Sequence, residues 1–224
     1  MLRRVINRRR PLVRSWRRFA SLAAAAWLAG CATGRTVIDL PAPPASPRAA
    51  SIAQAVRIRA VSDDRVFEDA PRQADVPSLT EPASKAPADL RAHAVARKRN
   101  GYGLAQGDVM LSERADLREV MRTQVASALA QVGYRVDDRD PLALDVDVHV
   151  RKFWLWPQPG LMVGVIRSSI VADVMIGGSP AVTVSAETSQ PGQVLSQDAW
   201  TNAVRVALEA WRRQADADLR AVAP

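Results

Sequence analysis

Of the 224 residues only one is cysteine and two are histidine. The single cysteine excludes an internal disulfide and any zinc site built on thiolates. Two histidines and no Gly-x-Ser-x-Gly leave little for triad or zinc chemistry. Acidic residues are missing from positions 1–30, where Arg3, Arg4, Arg8, Arg9, Arg10, Arg14, Arg17 and Arg18 stand. The apolar run that follows, Phe19 to Leu28, is short. As a helix its ten residues reach about 15 Å, half of a hydrocarbon core of about 30 Å, so it does not span.

A basic segment, a short apolar segment and small residues make a secretory signal. Arg17-Arg18 faintly resembles a twin-arginine signal, but Phe19-Ala20 is a poor match for the hydrophobic pair that should follow, which favours the general secretory route. The signal ends Leu28-Ala29-Gly30-Cys31. That tetrapeptide resembles the bacterial lipobox at all four positions. The resemblance implies cleavage between Gly30 and Cys31, diacylglycerol on the Cys31 sulfur and acylation of its new amine. One acyl chain binds a membrane reversibly, at about 0.8 kcal/mol per buried methylene, whereas three hold almost permanently. Ala32 stands where, in the enterobacterial pattern, an aspartate favours the inner membrane, so the outer membrane is expected.

The signal also accounts for the charge. The net +8 suggests nucleic acid, but eight of the 31 Lys+Arg and none of the 23 Asp+Glu precede Cys31. Beyond the cleavage point basic and acidic residues are equal in number, and the nucleic-acid reading goes with the signal.

Residues 31–54 carry Pro41, Pro43, Pro44 and Pro47 among small residues and read as a tether. One domain is expected over 55–220, with an irregular insertion at about 62–100 that holds His93. Ala55 to Val61 alternates as a strand, and Asp108 to Leu111 as a short one. Leu117 to Val132 has helical apolar spacing, with Asp116 and Glu119 in capping-box positions and Gly133 at the end. Tyr134 to Val136 reads as a brief strand; Leu142 to Arg151 and Leu161 to Ile176 alternate as long ones, joined by Pro157-Gln158-Pro159-Gly160. Ala181 to Glu187 makes another strand, and Trp200, Ala203, Val204, Ala207, Leu208 and Trp211 mark a second amphipathic helix. The expected fold is α+β, an antiparallel sheet with two helices on one face in a two-layer sandwich.

Four stretches carry a further resemblance: Val56-Arg57-Ile58 running into Asp63-Asp64-Arg65, Asn100-Gly101-Tyr102-Gly103, Gly133-Tyr134-Arg135-Val136, and Leu144-Asp145-Val146-Asp147-Val148. Together they resemble the YajG family of bacterial lipoproteins over residues 55–215. The family implies an outer-membrane lipoprotein without an established catalytic role, and so supplies no active-site residues. The 62–100 insertion and the Trp154/Trp156 pair do not map onto it.

Three local patterns bear on chemistry. Asp145, Asp147 and His149 share one strand face, a solvated surface or a divalent-ion site for an envelope hydrolase. Gly101-x-Gly103-x-x-x-Gly107 is one residue too long for a phosphate-cradling loop and reads as a turn. Trp154 and Trp156 share a strand face at the hairpin tip, as core closure or as an aromatic contact for a partner protein, a glycan or lipid, and one indole of the pair is expected to stay accessible. The leading expectation is a non-enzymatic, lipid-anchored outer-membrane lipoprotein facing the periplasm, with no cofactor and no metal. It would act through envelope-protein or peptidoglycan contacts. An accessory lipoprotein of an envelope transport system is the alternative.

Overall fold

The computed structural model describes residues 34–43, 52, 54–100, 102–114, 116–158, 164–191 and 196–223. The signal segment, Gly30 and Cys31 lie outside these, as do residues 161–163 of the expected second long strand. Among the described residues no helix is long and apolar enough to cross a membrane.

From Arg35 onward the described residues form an open eight-stranded sheet with three helices, an α+β fold. The sheet is built around β6 (Leu144–Gln158), whose 15 residues extend about 50 Å. Along one edge β6 pairs antiparallel with β7 (Val165–Ile176), and β8 (Val182–Pro191) pairs antiparallel with β7. The other edge is shared by two strands. β2 (Ala55–Asp63) runs parallel to the first half of β6, from Val56 opposite Leu144 to Asp63 opposite Val150, and carries β5 (Arg135–Val136) on its outer side. Further along, β3 (Ala94–Arg99) takes over with Ala96 opposite Leu155. β4 (Ala105–Leu111) lies antiparallel to β3, and β1 (Thr36–Ile38) parallel to β4. Most paired residues are antiparallel, as expected, but the crossovers from β2 and β3 add parallel pairs that alternation alone does not reveal.

Arg65 sits where the edge of β6 forks. Its side chain is wholly buried, and each of its five N–H groups has an acceptor. Nε and one terminal nitrogen each reach a carboxylate oxygen of Asp63 at 2.7 Å. The remaining donors meet the carbonyls of Ala94 at 2.6 Å, Phe153 at 3.2 Å and Arg91 at 2.8 Å. Those carbonyls lie at the start of β3, within β6 and in the helix Ala88–His93, so one guanidinium ties three elements together at the fork.

Two helices cover one face. α1 is the short Ala88–His93, and the large ones are α2 (Leu117–Val132) and α3 (Gln197–Val222). In α2 the expected stripe from Leu117 to Val132 is buried, and the Asp116 carboxylate accepts from the Glu119 N–H at 3.0 Å. Gly133 ends it at φ +116°, a conformation that disfavours a side chain. In α3, which the Ser196 hydroxyl caps, Trp200, Val204, Leu208, Trp211 and Leu219 pack down. They meet Val146, Val148 and Val150 of β6 and Ile166, Ile170, Ala172, Val174 and Ile176 of β7 in one core.

The opposite face of the sheet carries a second, smaller apolar cluster. Arg151 is an extra residue in β6, a bulge between Val150 and Lys152 in the pairing with β7. The alternation changes parity there: Val146, Val148 and Val150 face the helices before it, Phe153 and Leu155 after it. Trp154 is thereby turned to the other face, into a second cluster with Leu79, Ala86, Ala94 and Met110. The cover comes from the stretch expected as an irregular insertion, with Phe67 edge-on to Trp154 at 6.0 Å. Part of that stretch is regular after all. β3 is buried on both faces, so it shows no alternation to read.

The tether reading fails at Thr36–Ile38. Ile38 is fully buried, and the Lys98 ammonium donates to the Thr36 hydroxyl at 3.0 Å, so this stretch is an edge strand. Three residues are too few to display a period.

Replacing Arg65 by Met should lower unfolding stability by about 3–5 kcal/mol, because Asp63 and three carbonyls lose their donors. Urea denaturation measures it, and a loss under about 1 kcal/mol would show that the fork holds without the guanidinium.

Candidate functional site

The outer face of the first half of β6 carries Asp145, Asp147 and His149, and the parallel register with β2 decides what they do. Arg57 lies opposite Asp145, and its Nε reaches Oδ1 at 2.5 Å. Arg59 grips Asp147 with Nε on Oδ1 at 2.9 Å and a second nitrogen on Oδ2. Further along, Arg151 donates to Asp173 of β7 at 2.9 Å, and the Thr183 hydroxyl of β8 to the same carboxylate at 2.7 Å. The result is a ladder of charges alternating in sign across β2, β6 and β7, ended by the Thr183 hydroxyl of β8. Among the described residues no group of three His, Cys, Asp or Glu side chains is placed to hold a metal ion.

Ser62, His149 and Asp64 make an arrangement with the composition of a triad. Ser62 Oγ lies 2.8 Å, and Asp64 Oδ2 2.7 Å, from the imidazole. Both contacts fall on the same ring nitrogen, Nδ1. A general base must take the serine proton on one nitrogen while the carboxylate holds the other, so this geometry does not activate Ser62. It is a rung of the ladder. The imidazole hydrogen bond holds Asp64 below the usual carboxylate range, as the Arg57 contact does for Asp145 and the Thr183 and Arg151 contacts do for Asp173.

The tryptophan pair divides. Trp154 is fully buried, with its indole N–H donated to the Ala74 carbonyl at 3.2 Å, so it closes the core and is removed from the expected contact surface. Trp156 is half-buried beside the same cluster, with the Lys152 ammonium 5.5 Å from its ring centre.

A third feature went unread in the sequence. An open cleft of about 930 Å³ lies under the turn from Asn100 to Leu104, lined by Arg72, Arg97, Arg99, Tyr102, Leu104 and Pro157 among others, with no acidic residue. The Asn100 side-chain oxygen accepts from the N–H groups of Tyr102 and Leu104, at 3.0 and 2.9 Å, and Gly103 turns at φ +80°. Arg99 ties the rim together, donating to the carbonyls of Gly103 and Pro71, both at 3.2 Å. Arg97 is only 8% exposed. The Nε atoms of both arginines are buried and lack hydrogen-bond partners.

Burial and the neighbouring Arg99 disfavour the charge on Arg97, and Asp108 offsets them. Asp108, opposite Arg97 on β4, is a weak counter-ion. Its Oδ1 is taken by the Thr80 N–H and hydroxyl, both at 3.0 Å, and burial raises its own pKa above the usual value. In the sequence Arg97-Lys98-Arg99 reads only as the basic flank of a turn. The signal that marks the pair is the i, i+2 spacing of arginines on a strand, which puts both on one face.

No family model and no curated protein matches the chain. Solved structures to which the chain is similar include two. One, an uncharacterised protein, is 12% identical, with 85% of this chain and 99% of that one covered at a TM-score of 0.44. The other, a Xanthomonas campestris protein of the family DUF330, is 11% identical, with 84% and 97% covered at 0.45.

Two outcomes follow from these environments. Trp154→Ala should cost about 3–5 kcal/mol in urea unfolding and Trp156→Ala about 1 kcal/mol; equal losses would mean that both indoles close the core. The second concerns acid. Asp64, Asp145 and Asp173 have folded pKa values below their unfolded ones, so their stabilisation is present above about pH 4 and lost as pH falls through the folded values. Asp108 has the opposite sign, its contribution fading as pH rises through its raised value. The urea midpoint should therefore fall on acidification below about pH 4, and less steeply in Asp64→Asn; an unchanged slope would separate the ladder from acid stability.

Proposed function

We propose that this protein is a lipid-anchored, YajG-like lipoprotein of the outer membrane, facing the periplasm and acting through protein or cell-wall contacts without catalysis. The observation that carries the reading is Leu28-Ala29-Gly30-Cys31 behind a basic segment and a short apolar one. Ala32, in place of an aspartate, supports the outer membrane. The chemistry of the folded part is compatible with this role. Asp145 and Asp147, the carboxylates a hydrolase would need, are held by guanidinium groups, and Ser62 has no base arranged to deprotonate it. Trp156, half-exposed beside Lys152, offers an amphipathic shelf on which a partner can rest.

Mass spectrometry of the protein purified from its native membrane tests the anchor. The expected species begins at Cys31 and carries acyl chains. Cys31→Ser should remain uncut or appear in the soluble fraction. Recovery of wild-type chain with the basic segment attached and Cys31 unmodified would overturn the proposal.

A further inference from the structure

We propose that the cleft under the Asn100–Leu104 turn is a binding site for a phosphate monoester carrying a small apolar group, with Arg97 as its anchor. This goes beyond the anchoring proposal and does not depend on it.

A guanidinium removed from water is costly unless its N–H groups are answered. Arg65 shows how this fold meets that cost, with an acceptor for all five donors. Arg97 is nearly as inaccessible, yet its Nε has no acceptor, and neither has the Nε of Arg99 two residues along the same strand. Two like charges are thus held together, each with its Nε unanswered, in a cleft lined by a third arginine and no acid. The Nε edge of arginine presents two parallel N–H groups, the geometry that binds two oxygens of one oxoanion. A carboxylate has oxygens for one such edge. Phosphate has enough for the edge of Arg97, the Nε of Arg99 and Arg72, with more charge to set against them.

The rest of the cleft specifies what the phosphate is attached to. Leu104 and Tyr102 are 64% and 92% exposed at its rim, and Pro157 and Pro71 line it. Its volume is that of a small-molecule site and far exceeds what an inorganic anion fills. The arginines would take the phosphate end of such a ligand and the apolar rim its substituent. Arg99 already spans from Gly103 to Pro71, so the walls are set before a ligand enters.

Calorimetric titration of the full chain in non-ionic detergent, with phenyl phosphate and with inorganic phosphate, tests both halves. Phenyl phosphate should bind saturably at one site, and inorganic phosphate about 5-fold more weakly or less tightly still. Arg97→Gln should weaken phenyl phosphate by about 10-fold or more, and Arg72→Ala, at an exposed position, by about 3-fold. Leu104→Ser should narrow the gap between the two probes. Absence of saturable binding to the wild type would overturn the site. So would unchanged affinity in an Arg97→Gln protein whose thermal unfolding remains cooperative. If Arg97→Gln fails to fold, unchanged affinity in Arg72→Ala overturns it instead. Equal affinities for the two probes would overturn the apolar half and identify free phosphate as the occupant.

Discussion

The bidentate pair of Arg65 with Asp63, and the three carbonyls the same guanidinium satisfies, hold together two strands that share one edge of β6. A strand of 15 residues is longer than either neighbour on that edge. β2 leaves it after Asp63, the Asp64 N–H making a last bond to the Val150 carbonyl at 3.0 Å, and β3 engages it only at Ala96–Leu155. A gap of this kind exposes backbone polar groups inside the protein, where each unanswered one costs on the order of 1–3 kcal/mol. A planar group with five fixed donors fits it, and no other side chain has that number. The Arg151 bulge lies in the same region and turns Trp154 outward, so the fork and the second core cluster are two consequences of one irregular stretch of β6.

Charge is handled in two contrasting ways on the two halves of the outer face. Over β2, β6 and β7, arginines and aspartates alternate and pair with one another. Single pairs on such a surface contribute little stability each. Over β3 and β4 the balance fails: Arg97 and Arg99 lie together, and the nearby carboxylate of Asp108 is engaged by Thr80. Underused donors in a concave setting are the usual mark of a ligand site, and underused donors on a flat one are left to water.

Much of this was legible in the residues. The stripe from Leu117 to Val132 with Asp116 and Gly133 at its ends, and the alternation that buries Ile166 through Ile176, are local patterns enforced by the periods of helix and strand. The partners of Asp145, Asp147 and His149 were not legible, because a parallel register across 88 residues decides that Arg57 meets Asp145. Nor was the strand character of Thr36–Ile38 and Ala94–Arg99. The first is too short to show a period, and the second, covered on both faces, has none.

The sequence by itself determined the two long helices and the strands with one wet face, because each depends on neighbours within a few residues. Only the tertiary structure decided that both indoles face away from the helices, since one extra residue at Arg151 reverses which face an even-numbered side chain takes, and that Trp154 is core while Trp156 is half-exposed, since Phe67, Leu79 and Met110 close over the first. It alone gathered Arg72, Arg97 and Arg99 around one cleft. Burial of a charge is a property of what folds over it, and here the cover comes from a stretch with no period of its own.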